Sequence, residues 1–228
     1  DNGYNKVAFS VSTGLMQNGW AITVMGARTW GDGYIQGTNF EGYNYFANIS
    51  KRINENHQLS LTAFGAPQEH YQRSSGLTMK EWNNVRKYMK DGMHFSRYNP
   101  TYGYDDNGNQ NSANYNVYHK PQISLNHIWQ IDHKSSWSTT AYVSLGRGYG
   151  RTAEPGLNSS YSYTDLTYGA NYGTLSQTFR RADGTFDYGA VMWANNPDNP
   201  IYDPSSDQYE KMYAGSQLVI CENRNDHN

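Results

Sequence analysis

The chain has 228 residues and a formal net charge of −2, with 15% aromatic residues (21 of them tyrosine) and only 17% charged residues. The balanced charge provides no basic surface for nucleic acid, and the aromatic content is too high for a disordered chain. Mean hydropathy is −0.88, and no apolar run approaches the ~18–20 residues of a membrane helix, which excludes a helical membrane protein.

Six segments alternate apolar and polar residues with a period of two, which places successive side chains on opposite faces of a strand. The clearest has Trp20, Ile22 and Val24 on one face and Ala21 and Thr23 on the other. We predict strands at about 5–14, 20–30, 42–53, 58–66, 118–131 and 136–145. Between them lie short turns at 15–19, 54–57 and 132–135 and long loops at 31–41, 67–117 and 146–217.

The first long loop after the fourth strand contains a predicted helix. Thr78 and Glu81 have the spacing of a capping box. Apolar residues then recur at helical spacing, and Gly92 can end the helix. The members of this stripe are Met79, Trp82 and Val85, with Tyr88 or Met89.

The last loop region contains three further predicted features. Residues 175–192 resemble a hairpin that turns at Asp183-Gly184, and the proline-containing stretch 195–207 should be irregular. The apolar run at 217–220 can begin a seventh strand.

Alternating short turns and long loops are typical of outer-membrane β-barrels, which have tight periplasmic turns and large extracellular loops. Trp20, Trp129 and Trp137 lie close to the short turns, where a periplasmic aromatic girdle is expected. The opposite strand faces carry Ser, Thr, Asn and Gln, which suit a wet lumen. We therefore predict an all-β fold, an antiparallel segment of a transmembrane β-barrel with about six strands, long extracellular loops and one short loop helix. A soluble, aromatic-rich β-sandwich with one polar face, which would act as a glycan-binding module, fits the same alternation.

Four motifs follow or lie between the predicted strands: Asp32-Gly33-Tyr34-Ile35, Arg97-Tyr98-Asn99-Pro100-Thr101-Tyr102-Gly103, Gly146-Arg147-Gly148-Tyr149-Gly150 and Ala182-Asp183-Gly184-Thr185-Phe186. In these motifs the chain resembles the TonB-dependent outer-membrane transporters of the SusC/RagA type. The similarity extends over nearly the whole chain, and the combination of motifs is more specific than any one of them.

This resemblance implies an importer of oligosaccharides or peptides in the bacterial outer membrane, acting with a SusD-like surface lipoprotein and driven by TonB through a plug domain. Such barrels close with about 22 strands. In residues 1–228 we find no plug, TonB box, signal peptide or barrel-closing strands. We therefore expect the chain to be part of a longer barrel, because open sheet edges are not tolerated facing lipid.

No pattern indicates an active site, a cofactor or a metal centre, and we do not expect an enzyme. The single cysteine, Cys221, has no partner for a disulfide. Asp105-x-Asn107-x-Asn109 is similar to the first half of a calcium loop but lacks its final glutamate. A secreted glycosidase stays open as a third alternative, although a catalytic carboxylate pair cannot be assigned.

Aromatic residues in the loops are the candidate ligand-binding residues, because aromatic rings contribute large contact areas with a polar tip. The alternative is that these rings pack the loops onto each other or onto a partner. The candidates are Tyr98, Tyr102, Tyr104, Trp193 and Tyr202.

Overall fold

A computed structural model describes residues 3–73, 77–90, 92–155, 175, 177, 179–194, 200–203, 208–211 and 220–227. The fold is mostly β, and all strand pairs are antiparallel except one short pair, which confirms the predicted all-β antiparallel class. Among the described residues, no helix is long and apolar enough to cross a membrane.

In chain order the strands are β1 Asn5–Ser12, β2 Trp20–Gly31, β3 Phe40–Arg52, β4 His57–Gly65, β5 Gln68–Gln72, β6 Gly103–Tyr104, β7 Gln110–Asn111, β8 Asn114–His119, β9 Gln122–Gln130, β10 Ser136–Ser144, β11 Arg147–Pro155, β12 Phe186–Asp187, β13 Pro200–Asp203, β14 Gln208–Lys211 and β15 Ile220–His227. Ten of them form the main sheet, while β6, β7 and β12 form a small second sheet and β13 and β14 pair alone.

Three pairs of consecutive strands in the main sheet, β4 with β5, β8 with β9 and β10 with β11, each form one longer strand with a break in the middle. Tyr45 pairs with Gly65 and Glu41 with Glu69, so β3 keeps a single register from β4 into β5. The same continuity joins β8 to β9 and β10 to β11. Pro67 and Pro121 stand at two of the breaks, where proline cannot donate to the ladder. The sheet is therefore a meander of seven long strands, each paired with its neighbours in the sequence.

The strands extend further than the sequence predicts. β5 and the first four residues of β8 lie in the predicted loop 67–117, and β11 lies in the predicted loop 146–217, so these loop boundaries were wrong. These strand halves are rich in Tyr, Gly and charged residues and lack the apolar alternation on which the prediction depended. The seventh strand is β15, and residues 217–219 of the predicted run lie outside the described part.

The predicted capping box forms, but the helix is shorter than expected. Thr78 caps α1 (Met79–Asn84) by accepting a hydrogen bond from the Glu81 amide at 3.3 Å. A 3-10 turn, Val85–Tyr88, follows, and another spans Phe95–Arg97. Met79 is exposed and does not belong to the packed stripe, whereas Val85 is fully buried.

The second loop region also differs from the prediction. The turn at Asp183-Gly184 forms, with Gly184 in the left-handed region at φ 85°. The chain then enters a helix, α2 (Tyr188–Ala194). The predicted hairpin strand was therefore wrong after Asp187. β13 and β14 pair within and just after the stretch predicted to be irregular.

Candidate functional site

One face of the main sheet is apolar and exposed. Val24 pairs with Ala47, Ile49 with Leu61 and Leu61 with Leu125, so these side chains lie side by side across the sheet. Ile49 is 43% exposed and Val11 65% exposed. We call the exposed aliphatic and phenyl residues of this face the apolar band: Val7, Phe9, Val11, Ile22, Val24, Ile49, Leu61, Ile123, Leu125 and Val143.

Aromatic residues border the apolar band at both ends. At the short-turn end, Trp129 pairs with Trp137, and Trp20 receives the Lys51 ammonium 5.1 Å from its ring centre. This lower row contains the three tryptophans that the sequence places near the turns. At the loop end the same face carries an upper row, formed by Trp30, Tyr43, Tyr45, Tyr71 and Tyr115.

The opposite face is mainly polar and linked by side-chain hydrogen bonds, although the exposed side chains of Met25, Phe64 and Ile128 also lie on it. Ser12 and Thr23 share a hydrogen bond of 2.9 Å, and Asn48 donates to Thr62 at 2.8 Å. Thr140 donates to Asn126 at 2.9 Å two strands further on. From residue 21 to 29 of β2 and at the paired positions of β3, β4, β9 and β10, the described polar face has no charged side chain.

The long loops fold into a compact cluster that contains the most buried residues of the described chain. We define the loop cap as the described residues of 32–39, 77–113 and 175–194. Its largest fully buried side chains are Tyr98, Phe186, Val85, Asn99, Thr101, Pro100 and Ser112. Within the described ranges, the core therefore lies in the loops and not beneath the sheet.

Arg180 joins the two long loops of the cap. Its Nη1 donates to the Tyr98 hydroxyl at 2.7 Å and to the carbonyls of Pro100 and Gly184, both at 3.0 Å. The Tyr98 hydroxyl in turn donates to the Gly184 carbonyl at 2.7 Å. These bonds satisfy buried polar groups that are costly to leave unpaired.

The predicted ligand-binding aromatics occupy different environments. Tyr98 is only 2% exposed and stacks on Tyr88, which favours the packing alternative for this residue. Tyr102 and Tyr104 are half-buried neighbours whose hydroxyls are hydrogen-bonded. Trp193 is exposed on α2, and the side chain of Tyr202 lies outside the described part.

Hydrogen bonds in the loop cap shift the pKa of several of its titratable side chains. A hydrogen bond from Arg181 at 2.8 Å lowers the pKa of Asp187. Hydrogen bonds from the side-chain amide and from the backbone N–H of Asn109 lower the pKa of Asp105. Burial and the bond to Tyr104 raise the pKa of the Tyr102 hydroxyl, so this phenol stays neutral near pH 7.

Asp105 forms a turn and not an open cation loop, because its two carboxylate oxygens already accept from Asn107 and Asn109. No cluster of three or more metal-ligating His, Cys, Asp or Glu residues occurs in the described part of the chain.

A cleft of about 220 Å³, which the sequence did not predict, lies beside the upper aromatic row. Its lining includes Arg28 and Glu41, which form an ion pair of 2.6 Å, and the carboxylates of Asp32 and Glu69. We call it the outer cleft, because Arg28 and Glu41 lie on the face of the apolar band. The signal in the sequence is the change along one face of β2 from the aliphatic Ile22 and Val24 to the charged Arg28 and the aromatic Trp30.

No protein-family model matches the chain, and neither the curated proteins nor the solved structures include a match to it.

Proposed function

We propose that this chain forms part of the wall of an outer-membrane β-barrel that imports oligosaccharides or peptides, as in the SusC/RagA-type TonB-dependent transporters that it resembles. The observation that carries this proposal is the exposed apolar band between two aromatic rows. Lipid covers such a band without cost, whereas water does not, since each Å² of exposed apolar surface forfeits about 25 cal/mol.

The height of the band supports this assignment. Trp20 and Trp30 mark the lower and upper rows on β2 and are ten residues apart. At about 3.3 Å per residue and a tilt near 40°, this separation corresponds to roughly 25 Å along the membrane normal. The lipid-facing band of outer-membrane barrels has about this height.

The polar face provides the second argument. Hydroxyls and amides both donate and accept hydrogen bonds, so the track around Asn48 and Thr62 can be wetted by water or contacted by a polar cargo. In the proposed barrel it faces the lumen, and the chain contributes transport surface and no catalysis.

The loop cap stands at the extracellular mouth of the proposed barrel. Tyr102, Tyr104 and Trp193 are its remaining candidate contacts for cargo or for a SusD-like lipoprotein. The plug and its TonB contact belong to the rest of the polypeptide in this proposal. Cargo release depends on a difference in affinity between the plugged and open states.

Spin labels at two adjacent residues test the proposal in outer membranes that contain the full-length protein. Ile49→Cys places the label on the apolar band and Asn48→Cys places it on the polar face, both in a Cys221→Ser background. We expect the label at 49 to collide with oxygen dissolved in lipid and to be shielded from a water-soluble nickel complex. The label at 48 is the matched control and is not exposed to lipid.

Two outcomes contradict the proposal. Equal access of the nickel complex to both labels indicates a sheet in water. A label at 49 that neither reagent reaches indicates that a second sheet covers this face, as in the β-sandwich glycan-binding module.

A further inference from the structure

We propose that the outer cleft binds a sugar ring in the headgroup of an outer-leaflet glycolipid. This inference rests on the proposed function, because the membrane orientation places the cleft at the upper aromatic row, at the edge of the lipid-facing band. Glu41 pairs with Trp30 and Glu69, so the cleft continues the band face across β2, β3 and β5.

Hydrogen bonds hold the polar side chains of the cleft in place but occupy only part of their hydrogen-bonding capacity. One Glu41 oxygen accepts from Arg28 Nε at 2.6 Å and from the Tyr43 hydroxyl. The Tyr115 hydroxyl donates to one oxygen of Glu69 at 2.7 Å. Among the described residues, the second oxygens of Glu41 and Glu69 and the terminal amines of Arg28 have no protein partner, so acceptors and donors remain for a ligand.

Aromatic rings line the same space. The Arg28 guanidinium lies 4.7 Å from the centre of the Trp30 ring, which orients both groups. The rings of Tyr71 and Tyr115 are 4.6 Å apart and tilted by 43°. Flat rings beside fixed acceptors suit a sugar, which presents apolar C–H faces and a rim of hydroxyls.

The charge of the cleft selects among ligands. Three acidic residues, Asp32, Glu41 and Glu69, line the cleft, whereas Arg28 is the one basic residue of its lining. This excess of negative charge repels phosphate, whereas a sugar hydroxyl donates to carboxylates in strong charge-assisted bonds. The ligand is therefore an uncharged ring of the headgroup and not its phosphates.

Binding is measured with full-length protein in nanodiscs of phosphatidylethanolamine that contain fluorescent rough lipopolysaccharide. Trp30→Ala removes a ring and Glu41→Gln removes a charge with little change of shape. We expect each variant to lower the retained lipopolysaccharide roughly fivefold, as loss of about 1 kcal/mol implies. Trp137→Ala, on the same face at the opposite end, is the matched control and keeps wild-type retention.

Wild-type retention in both cleft variants overturns the inference. Free core oligosaccharide that displaces lipopolysaccharide as well as the intact lipid does shows a soluble sugar site and overturns the glycolipid assignment. The spin labels at 48 and 49 report separately on the proposed function. If the label at 49 is lipid-exposed while the cleft variants retain lipopolysaccharide, only the cleft inference fails.

Discussion

Asn48 and Thr62 are hydrogen-bonded at 2.8 Å across β3 and β4, while their chain neighbours Ile49 and Leu61 pair on the other face and stay exposed. One step along the chain thus changes the surroundings from polar to apolar. This arrangement reverses that of a soluble sandwich, in which the apolar face is covered.

A charge introduced into the apolar band should lower the free energy of unfolding much more than the same charge at the adjacent residue on the polar face. We expect Val24→Arg, near the middle of the band, to lower the free energy of unfolding in lipid vesicles by roughly 2–4 kcal/mol. Thr23→Arg, the control, loses its hydrogen bond to Ser12, worth about 1 kcal/mol. Urea unfolding of full-length protein measures both, and equal losses contradict the assignment of faces.

Removing the guanidinium of Arg180 should open the loop cap without disturbing the sheet. Arg180→Ala deprives the Tyr98 hydroxyl and two carbonyls of a charged donor, which weakens the cap by roughly 1.5–3 kcal/mol. Hydrogen exchange should accelerate at 98–101 and 180–186 and stay unchanged in β2–β4. Arg52→Ala, at the exposed short-turn end, is the control, and faster exchange throughout the sheet contradicts a local role.

Acid should weaken the loop cap through Asp187. The hydrogen bond from Arg181 lowers its pKa in the folded state, so its contribution is complete above the unfolded pKa of about 3.9 and is lost as the pH falls through the lower folded value. Hydrogen exchange at 185–190, corrected for intrinsic rates, should therefore be level from pH 7 to about 5 and rise below 4. Asp187→Asn should remove this rise in exchange rate below about pH 4. If the rise is unchanged in the variant, a group other than Asp187 causes it.

Gly103 should tolerate no side chain. A Cβ at this position would lie 1.7 Å from the Phe186 carbonyl oxygen, so Gly103→Ala must push β6 and β12 apart. We expect the protease resistance of the cap to fall at least tenfold, as loss of about 1.4 kcal/mol implies. Gly146→Ala meets only the flexible Lys120 side chain at 3.5 Å and should match the wild type; similar loss in both variants argues against a specific clash.

The sequence predicts the short-turn half of the main sheet well, because the two faces of each strand differ strongly in polarity there. Period-two alternation places Ile22 and Val24 on one face and Thr23 on the other, and Asn18-Gly19 marks the first short turn. The capping box at Thr78 is also local, since the donor and acceptor are three residues apart. Such features depend on neighbouring residues alone.

The tertiary structure decided the features that depend on distant parts of the chain. β5, β8 and β11 carry no apolar alternation, and their strand conformation comes from pairing: β8 lies between β5 and β11, which also pair with β3 and β15. Tyr98 is buried against Val85 and Leu175, and Arg180, 82 residues away, donates to its hydroxyl. The outer cleft likewise needs Arg28, Glu41 and Glu69 from three strands. Local periodicity determined the two faces of the sheet, whereas long-range hydrogen bonds and packing determined its loop-side half, its loop cap and its cleft.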